Sequence, residues 1–100
     1  MSTEMNPWHP MSDPVDLKHM GKLVEETGEL CSAAARCIIQ GIDECEPVTG
    51  KSNRDWLEEE IADVIANISL VIEHFKLNEG RIIARAEQKE QHLKEWHELA

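Results

Sequence analysis

Residues 22–30 read KLVEETGEL and residues 58–68 read EEEIADVIANI. The first stretch sets Glu26 and Glu29 three residues apart, and the second does the same with Glu60 and Asp63. Side chains at that spacing share one face of an α-helix. Apolar residues around both stretches recur at i, i+3 and i+4, the period of an amphipathic helix. Each stretch therefore reads as an apolar stripe with an acid strip along its margin. Packing the two apolar stripes together lets the acid strips face one another. No strand-like alternation, internal repeat or low-complexity tract appears. The expected fold is all-α: a helical bundle protomer with long antiparallel helices, assembled as a homo-oligomer.

Working outward, residues 1–13 form a flexible N-terminal lead punctuated by Pro7 and Pro10, with Trp8 as its lone tryptophan. Residues 14–100 form a single helical domain. Asp13 suits an N-cap and Pro14 the first helical position, so the first helix begins there and runs to about Gln40, where Gly41 stops it. Its stripe is Met20, Leu23, Val24, Leu30, Cys31, Ala34, Ala35 and Ile38, flanked by His19, Lys22, Glu26 and Glu29. Pro47, Gly50, Ser52 and Asn53 mark residues 41–53 as a loop, either a lid over a site or an ordinary connection. A second helix, capped by Asn53, runs from about Arg54 to Phe75, with a stripe of Leu57, Ile61, Val64, Ile65, Ile68, Val71, Ile72 and Phe75. Trp56, Glu60, Asp63 and Asn67 line its margin. A third helix, capped by Asn78, spans about 79–97, with Ile82, Ile83, Ala86 and Leu93 on its core side.

The chain has 100 residues, 20 acids against 10 bases, and a net charge of −10. That balance argues against a nucleic-acid polymer as partner, because phosphate contacts need cations. It leaves open a nucleotide that arrives with its own metal. No apolar run is long enough to span a bilayer, and no basic start precedes an apolar stretch, so neither membrane nor secretion is expected. Three cysteines, an odd number, fit reduced thiols in the cytoplasm.

Four carboxylates with no sequence-local cation repel one another unless something fills the nest, and a divalent ion is the obvious filling. Mg²⁺, with Mn²⁺ as a possible substitute, takes such oxygen ligands, and Glu26, Glu29, Glu60 and Asp63 would supply them. A bound ion of this kind polarises a phosphoryl oxygen or acidifies a water. Glu25 and Glu59, at the edges of the clusters, are the candidates to take that water's proton, though both also suit a solvated face. Lys22, Arg85 and Lys89 can hold phosphate charge; for the last two, a solvated surface is the competing reading. Asn67 either orients a ligand or satisfies a helix contact. Trp56 either stacks on a base or packs at the helix start or a subunit interface, and packing is the preferred reading. Cys31 and Cys37 read as core residues, and His19 and His74 as polar helix residues. A di-iron bundle needs Glu three residues before His on two helices. Asn6, Asp16, Val71, Lys89 and Lys94 occupy the positions three before the five histidines, which argues against it.

Together, E-E-x-x-E within KLVEETGEL and E-x-x-D within EEEIADVIANI resemble the all-α nucleoside triphosphate pyrophosphohydrolases of the MazG type. The resemblance covers roughly residues 17–97. The gap between Glu29 and Glu60 is towards the long end for that family, and the extra length falls in the 41–53 loop. The resemblance implies Mg²⁺-dependent hydrolysis of a (deoxy)nucleoside triphosphate to the monophosphate and pyrophosphate. It places Glu26, Glu29, Glu60 and Asp63 at the metal-ligand positions and Glu25 at the first acid of the motif. Lys22, Asn67, Arg85 and Lys89 match substrate contacts less firmly. It further implies a homodimer or homotetramer with sites completed across chains. The short length and the loop region look most like small bacterial and phage, MazZ-like members acting on purine deoxynucleotides, which points to dGTP and to a host cytoplasm if the chain is phage-encoded. The competing class is a non-catalytic acidic helical interaction or regulatory protein.

Overall fold

Asp13 opens the first helix as its sequence suggests. Its backbone is extended, and its Oδ2 accepts from Val15 N at 3.1 Å and Asp16 N at 3.0 Å, satisfying donors that a helix start leaves orphaned. The computed structural model describes residues 7–99; residues 1–6 of the expected lead, and Ala100, lie outside the described residues. Residues 7–13 form neither helix nor strand. Three helices follow: α1 (Pro14–Gln40), α2 (Asn53–Phe75) and α3 (Glu79–Leu99). The described residues are therefore all-α apart from one isolated bridge between Cys45 and Ser52.

Gly41 ends α1 with φ +107, a left-handed backbone angle that only glycine adopts without strain. Ser52, not Asn53, caps α2, its Oγ accepting from Asp55 N at 3.1 Å. Asn53 is displaced from the cap because it has a buried task. Its Nδ2 donates to Gly41 O at 2.9 Å and to Gln40 Oε1 at 3.1 Å, which clamps the end of α1 to the start of α2. Asn78 caps α3 as expected, accepting from Arg81 N at 3.0 Å.

α1 and α2 form an antiparallel hairpin. Its open end carries His74 of α2 against Asp16 of α1, Nε2 to Oδ1 at 2.7 Å, with the His19 and His74 rings stacked at 4.1 Å. The side chains that turn inward step by four and three along each helix, the spacing of a coiled-coil seam. On α1 they are His19, Leu23, Glu26, Leu30, Ala33 and Cys37; on α2 they include Leu57, Glu60, Val64, Asn67 and Val71. The seam thus combines part of the expected stripe with part of the strip placed at its margin. Glu26 and Glu60 lie inside the helix contact rather than beside it.

The expected apolar stripes are accordingly split. Leu23, Leu30, Leu57, Val64 and Val71 reach the seam, but Val24, Cys31, Ala35, Ile38, Ile61, Ile65 and Ile68 are exposed. Ile38 and Ile39 keep 85% and 81% of their surface. The physical reason is that both helices are apolar over more than one face, and a single partner helix covers only one. α3 makes almost no contact with the hairpin, so Ile82, Ile83 and Leu93 are exposed rather than forming a core side. The radius of gyration is 18.5 Å, against about 13 Å for a compact chain of this length.

Candidate metal centre

Midway along the seam, carboxylate oxygens of Glu26, Glu60 and Asp63 lie within 4.8 Å of one another. Glu26 comes from α1; Glu60 and Asp63 come from one face of α2, three residues apart. Glu26 is 7% exposed, Glu60 half-buried and Asp63 exposed, so the cluster opens to solvent on the Asp63 side. Two oxygens, Glu26 Oε2 and Glu60 Oε2, are buried without a hydrogen-bond partner among the described residues. A buried acceptor left unpaired costs ~1–3 kcal/mol, more for a charged group. A divalent cation bound by the three carboxylates would satisfy both orphans, and the all-oxygen donor set suits a hard ion of the Mg²⁺ type.

Glu29 lies at the edge of this group rather than in it. Its carboxyl is exposed, and its pKa is raised, first by the charge of Glu26, then by partial burial and by the charge of Glu60. It feels the charge of the cluster without belonging to the group of three. Lys22 corrects the expectation that no nearby cation serves the acids. Its Nζ sits 3.3 Å from Glu26 Oε1 and 3.3 Å from Glu25 Oε1, and hydrogen bonds to these two acids, Glu26 first, raise its pKa. One oxygen of Glu26 is therefore neutralised by a neighbour one turn away, while the other remains orphaned.

The remaining expected residues are scattered. Glu25 is exposed and engaged by Lys22. Glu59 is exposed and ion-paired to Lys51 of the loop. Asn67 donates to Asp63 O at 2.8 Å, the helix contact that was its alternative reading, and lines a small cleft of about 190 Å³ with His19 and Lys22. Arg85 donates to Gln88 Oε1 at 3.3 Å, and no ion pair or hydrogen bond among the described residues ties Arg85 or Lys89 to the acid cluster. Of the two cysteines read as core residues, Cys37 is half-buried and Cys31 is exposed. His19 and His74 pack in the seam.

A groove leads away from the cluster. Its inner part, about 210 Å³, is lined by Glu29, Ser32, Ala33, Arg36, Trp56 and Glu60. Its outer part, about 560 Å³, shares Arg36 and Trp56 and is walled by the loop through Glu44, Cys45 and Glu46. The Arg36 guanidinium stacks over the Trp56 ring at 4.1 Å from its centroid, so Trp56 is packed at the start of α2, as preferred from the sequence, while also facing a cavity. Sequence reading missed Arg36, because an arginine within an apolar helix carries no motif. Its position about two to three turns from Glu29 and Glu26 was the only available signal.

The loop is an ordered connection. Glu46 N donates to Lys51 O at 2.9 Å and Asn53 N to Glu44 O at 2.9 Å. The Glu46 carboxylate accepts from Val48 N at 2.9 Å, Thr49 N at 2.6 Å and Thr49 Oγ1 at 2.7 Å, bonds that hold its pKa below the ordinary carboxylate value. Arg54 Nε donates to Asp43 Oδ1 at 2.9 Å and lowers that acid likewise. No helix among the described residues is long and apolar enough to cross a membrane. Comparison with protein-family models, curated proteins and solved structures gives no match to this chain.

Proposed function

We propose that the chain is a divalent-metal-dependent nucleoside triphosphate pyrophosphohydrolase, and that dGTP is its favoured substrate. The observation that carries this reading is the pair of unpartnered buried oxygens on Glu26 and Glu60, beside Asp63 and at the head of a groove. The resemblance of the E-E-x-x-E and E-x-x-D motifs to the MazG type supports it. Glu26, Glu60 and Asp63 would hold Mg²⁺ or Mn²⁺, with Glu29 completing the set. The ion, when bound, supplies charge neutralisation for phosphate oxygens and acidification of water. Water adds across the α–β phosphoanhydride, and the products are a monophosphate and pyrophosphate. Glu25 and Glu59 stand at the margins as acids able to accept the water's proton, once released from Lys22 and Lys51. Lys22, paired with Glu26, and Asn67, bonded to the Asp63 carbonyl, line one small cleft and would meet the substrate there.

A homodimer or homotetramer belongs to this reading. A second copy would cover the exposed isoleucines and give α3 a surface to pack on. Arg85 and Lys89 would then serve the site of a neighbouring copy.

The second reading, a non-catalytic acidic helical interaction protein, draws on one observation. Lys22 already neutralises one oxygen of Glu26 without a metal. The test is to incubate the protein with a panel of nucleoside triphosphates and Mg²⁺ and to separate the products. Monophosphate plus pyrophosphate, lost in Glu60→Gln and Asp63→Asn with the helical spectrum retained, supports the enzyme. Diphosphate plus orthophosphate, or no turnover, sinks it.

A further inference from the structure

We propose that the outer groove is a nucleobase pocket in which Arg36 and Trp56 form the stacking wall while Gln40 and Glu44 read the base edge. The proposal rests on the pyrophosphohydrolase reading and adds the residues that would set its substrate. At about 560 Å³ the cavity falls in the ~300–1,000 Å³ range of small-molecule sites. It adjoins the inner groove through Arg36 and Trp56, so a ligand with phosphates at Glu29 and Glu60 would carry its base outward past that pair. Bases stack on indole rings and on guanidinium planes alike, and here the two are already stacked on one another.

The hydrogen-bonding character of the edge follows from the clamp at Asn53. The Gly41 carbonyl can only accept, so Asn53 must present its NH₂ group there. The same nitrogen reaches Gln40 at 3.1 Å, so Gln40 must answer with its oxygen. That leaves Gln40 Nε2 as a donor. Of the two pocket carboxylates, Glu46 is committed to Val48 and Thr49, which leaves Glu44 as the acceptor. Gln40 and Glu44 flank Gly41, and Glu44 Cγ packs 3.3 Å from where a Cβ on Gly41 would stand. The turn thus presents one carboxylate acceptor and one amide donor.

A guanine edge answers both groups. Its N1–H and N2–H₂ are adjacent donors for a carboxylate, and O6 is an acceptor for the amide. Adenine and cytosine offer one amino donor beside a ring nitrogen, and uracil and thymine a single imino donor. The carboxylate is filled twice only by guanine.

Two readouts test this. The first is the ratio of kcat/KM for dGTP over dATP in the full chain and in Glu44→Gln and Gln40→Leu. We expect each substitution to lower the ratio about tenfold, chiefly through dGTP, because a site built for polar contacts discriminates by them. The second is quenching of Trp56 emission by guanosine monophosphate in a Trp8→Phe, Trp96→Phe background, which needs no turnover. Pyrophosphate release with a base preference unchanged in both variants overturns the pocket and leaves the enzyme standing. Guanine-selective quenching that Glu44→Gln abolishes, without turnover of any triphosphate, supports the pocket and removes the enzyme. Absence of quenching by any monophosphate overturns the pocket.

Discussion

Glu26 of α1 and Glu60 of α2 meet inside the helix seam, each with one carboxylate oxygen buried and without a partner. Their neighbours along the seam are Leu23, Leu30, Leu57 and Val64, and one heptad away stand His19, Ala33, Asn53 and Asn67, none of them an acid. Two carboxylates in such a seam oppose the packing that holds the hairpin together, since burying charge is costly and like charges add to it. Stability has been given up at one point of a short interface, and ligand binding would recover it.

The first expectation follows from that conflict. Replacing Glu60 by Gln removes one charge from the cluster and keeps the side chain's shape. Without divalent metal we expect the variant to be more stable by about 1 kcal/mol, a rise in Tm of ~4–8 °C for a domain of this size. Added Mg²⁺ or Mn²⁺ should raise the Tm of the unmodified chain as ion concentration passes its Kd, and should raise that of Glu60→Gln much less. Calorimetry with and without EDTA makes the comparison. A variant less stable than the parent in EDTA would show that Glu60 is a structural partner and not a held-open ligand.

Asn53 supports the second. It is 2% exposed and donates to both Gly41 O and Gln40 Oε1. Asn53→Ala leaves two acceptors unpaired and opens a small void, so a loss of roughly 2–3 kcal/mol is expected. Ser52→Ala removes only an exposed cap and should cost ~1 kcal/mol. Urea denaturation of the two variants gives the order; equal losses would mean that the clamp contributes nothing beyond capping.

How far these features were legible in the sequence differs by scale. Helix α1 and its cap at Asp13 were legible because proline and aspartate at a helix start act locally. The clustering of Glu26, Glu60 and Asp63 was legible because spacing within a rigid helix fixes which residues share a face. The rotation of each helix about its axis was not. With isoleucines on more than one face, several rotations bury similar area, and the seam chosen takes the acids inward. The exchange of Asn53 for Ser52 as cap was hidden for the same reason. Both residues cap well, and only the tertiary contact to Gly41 decides between them. Arg36 over Trp56 joins residues from two helices, which no local pattern reports.

The third expectation concerns acid. The folded pKa of Glu46 lies below its ordinary value of 4.5 because Thr49 and Val48 donate to the charged form. The unfolded loop therefore binds a proton more readily than the folded loop. The stabilisation is fully present above 4.5 and is lost as pH falls through the folded value. Asp43, lowered from 3.8 by Arg54, acts in the same direction. Amide exchange at Val48 and Thr49 should accelerate as pH drops below this range, after correction for the intrinsic rate. In Glu46→Gln the exchange should be fast already at neutral pH. Protection that persists to pH 3 in the unmodified chain would show that the carboxylate is not what orders the turn.

The fourth expectation concerns what covers the hairpin. Ile38, Ile39, Ile61, Ile65 and Ile68 are exposed on the two packed helices, and α3 carries Ile82, Ile83, Leu93 and Trp96 without a surface of its own to bury them. Fully burying a side chain of this size is worth ~1.5–3 kcal/mol. With His19, Glu26, Glu60 and Asn67 among its seam residues, the hairpin would gain more from association than from its own interior. Sedimentation equilibrium at micromolar concentration should give a mass of at least two chains. Ile65→Glu, on an exposed face away from the acid cluster, should dissociate the assembly and lower helicity together, because α3 then has nothing to pack on. Val48→Glu, equally exposed but on the loop, serves as the control and should leave the mass unchanged. A monomer that keeps its full helical spectrum would overturn the expectation, since it would mean that the exposed apolar faces and α3 are stable without a partner.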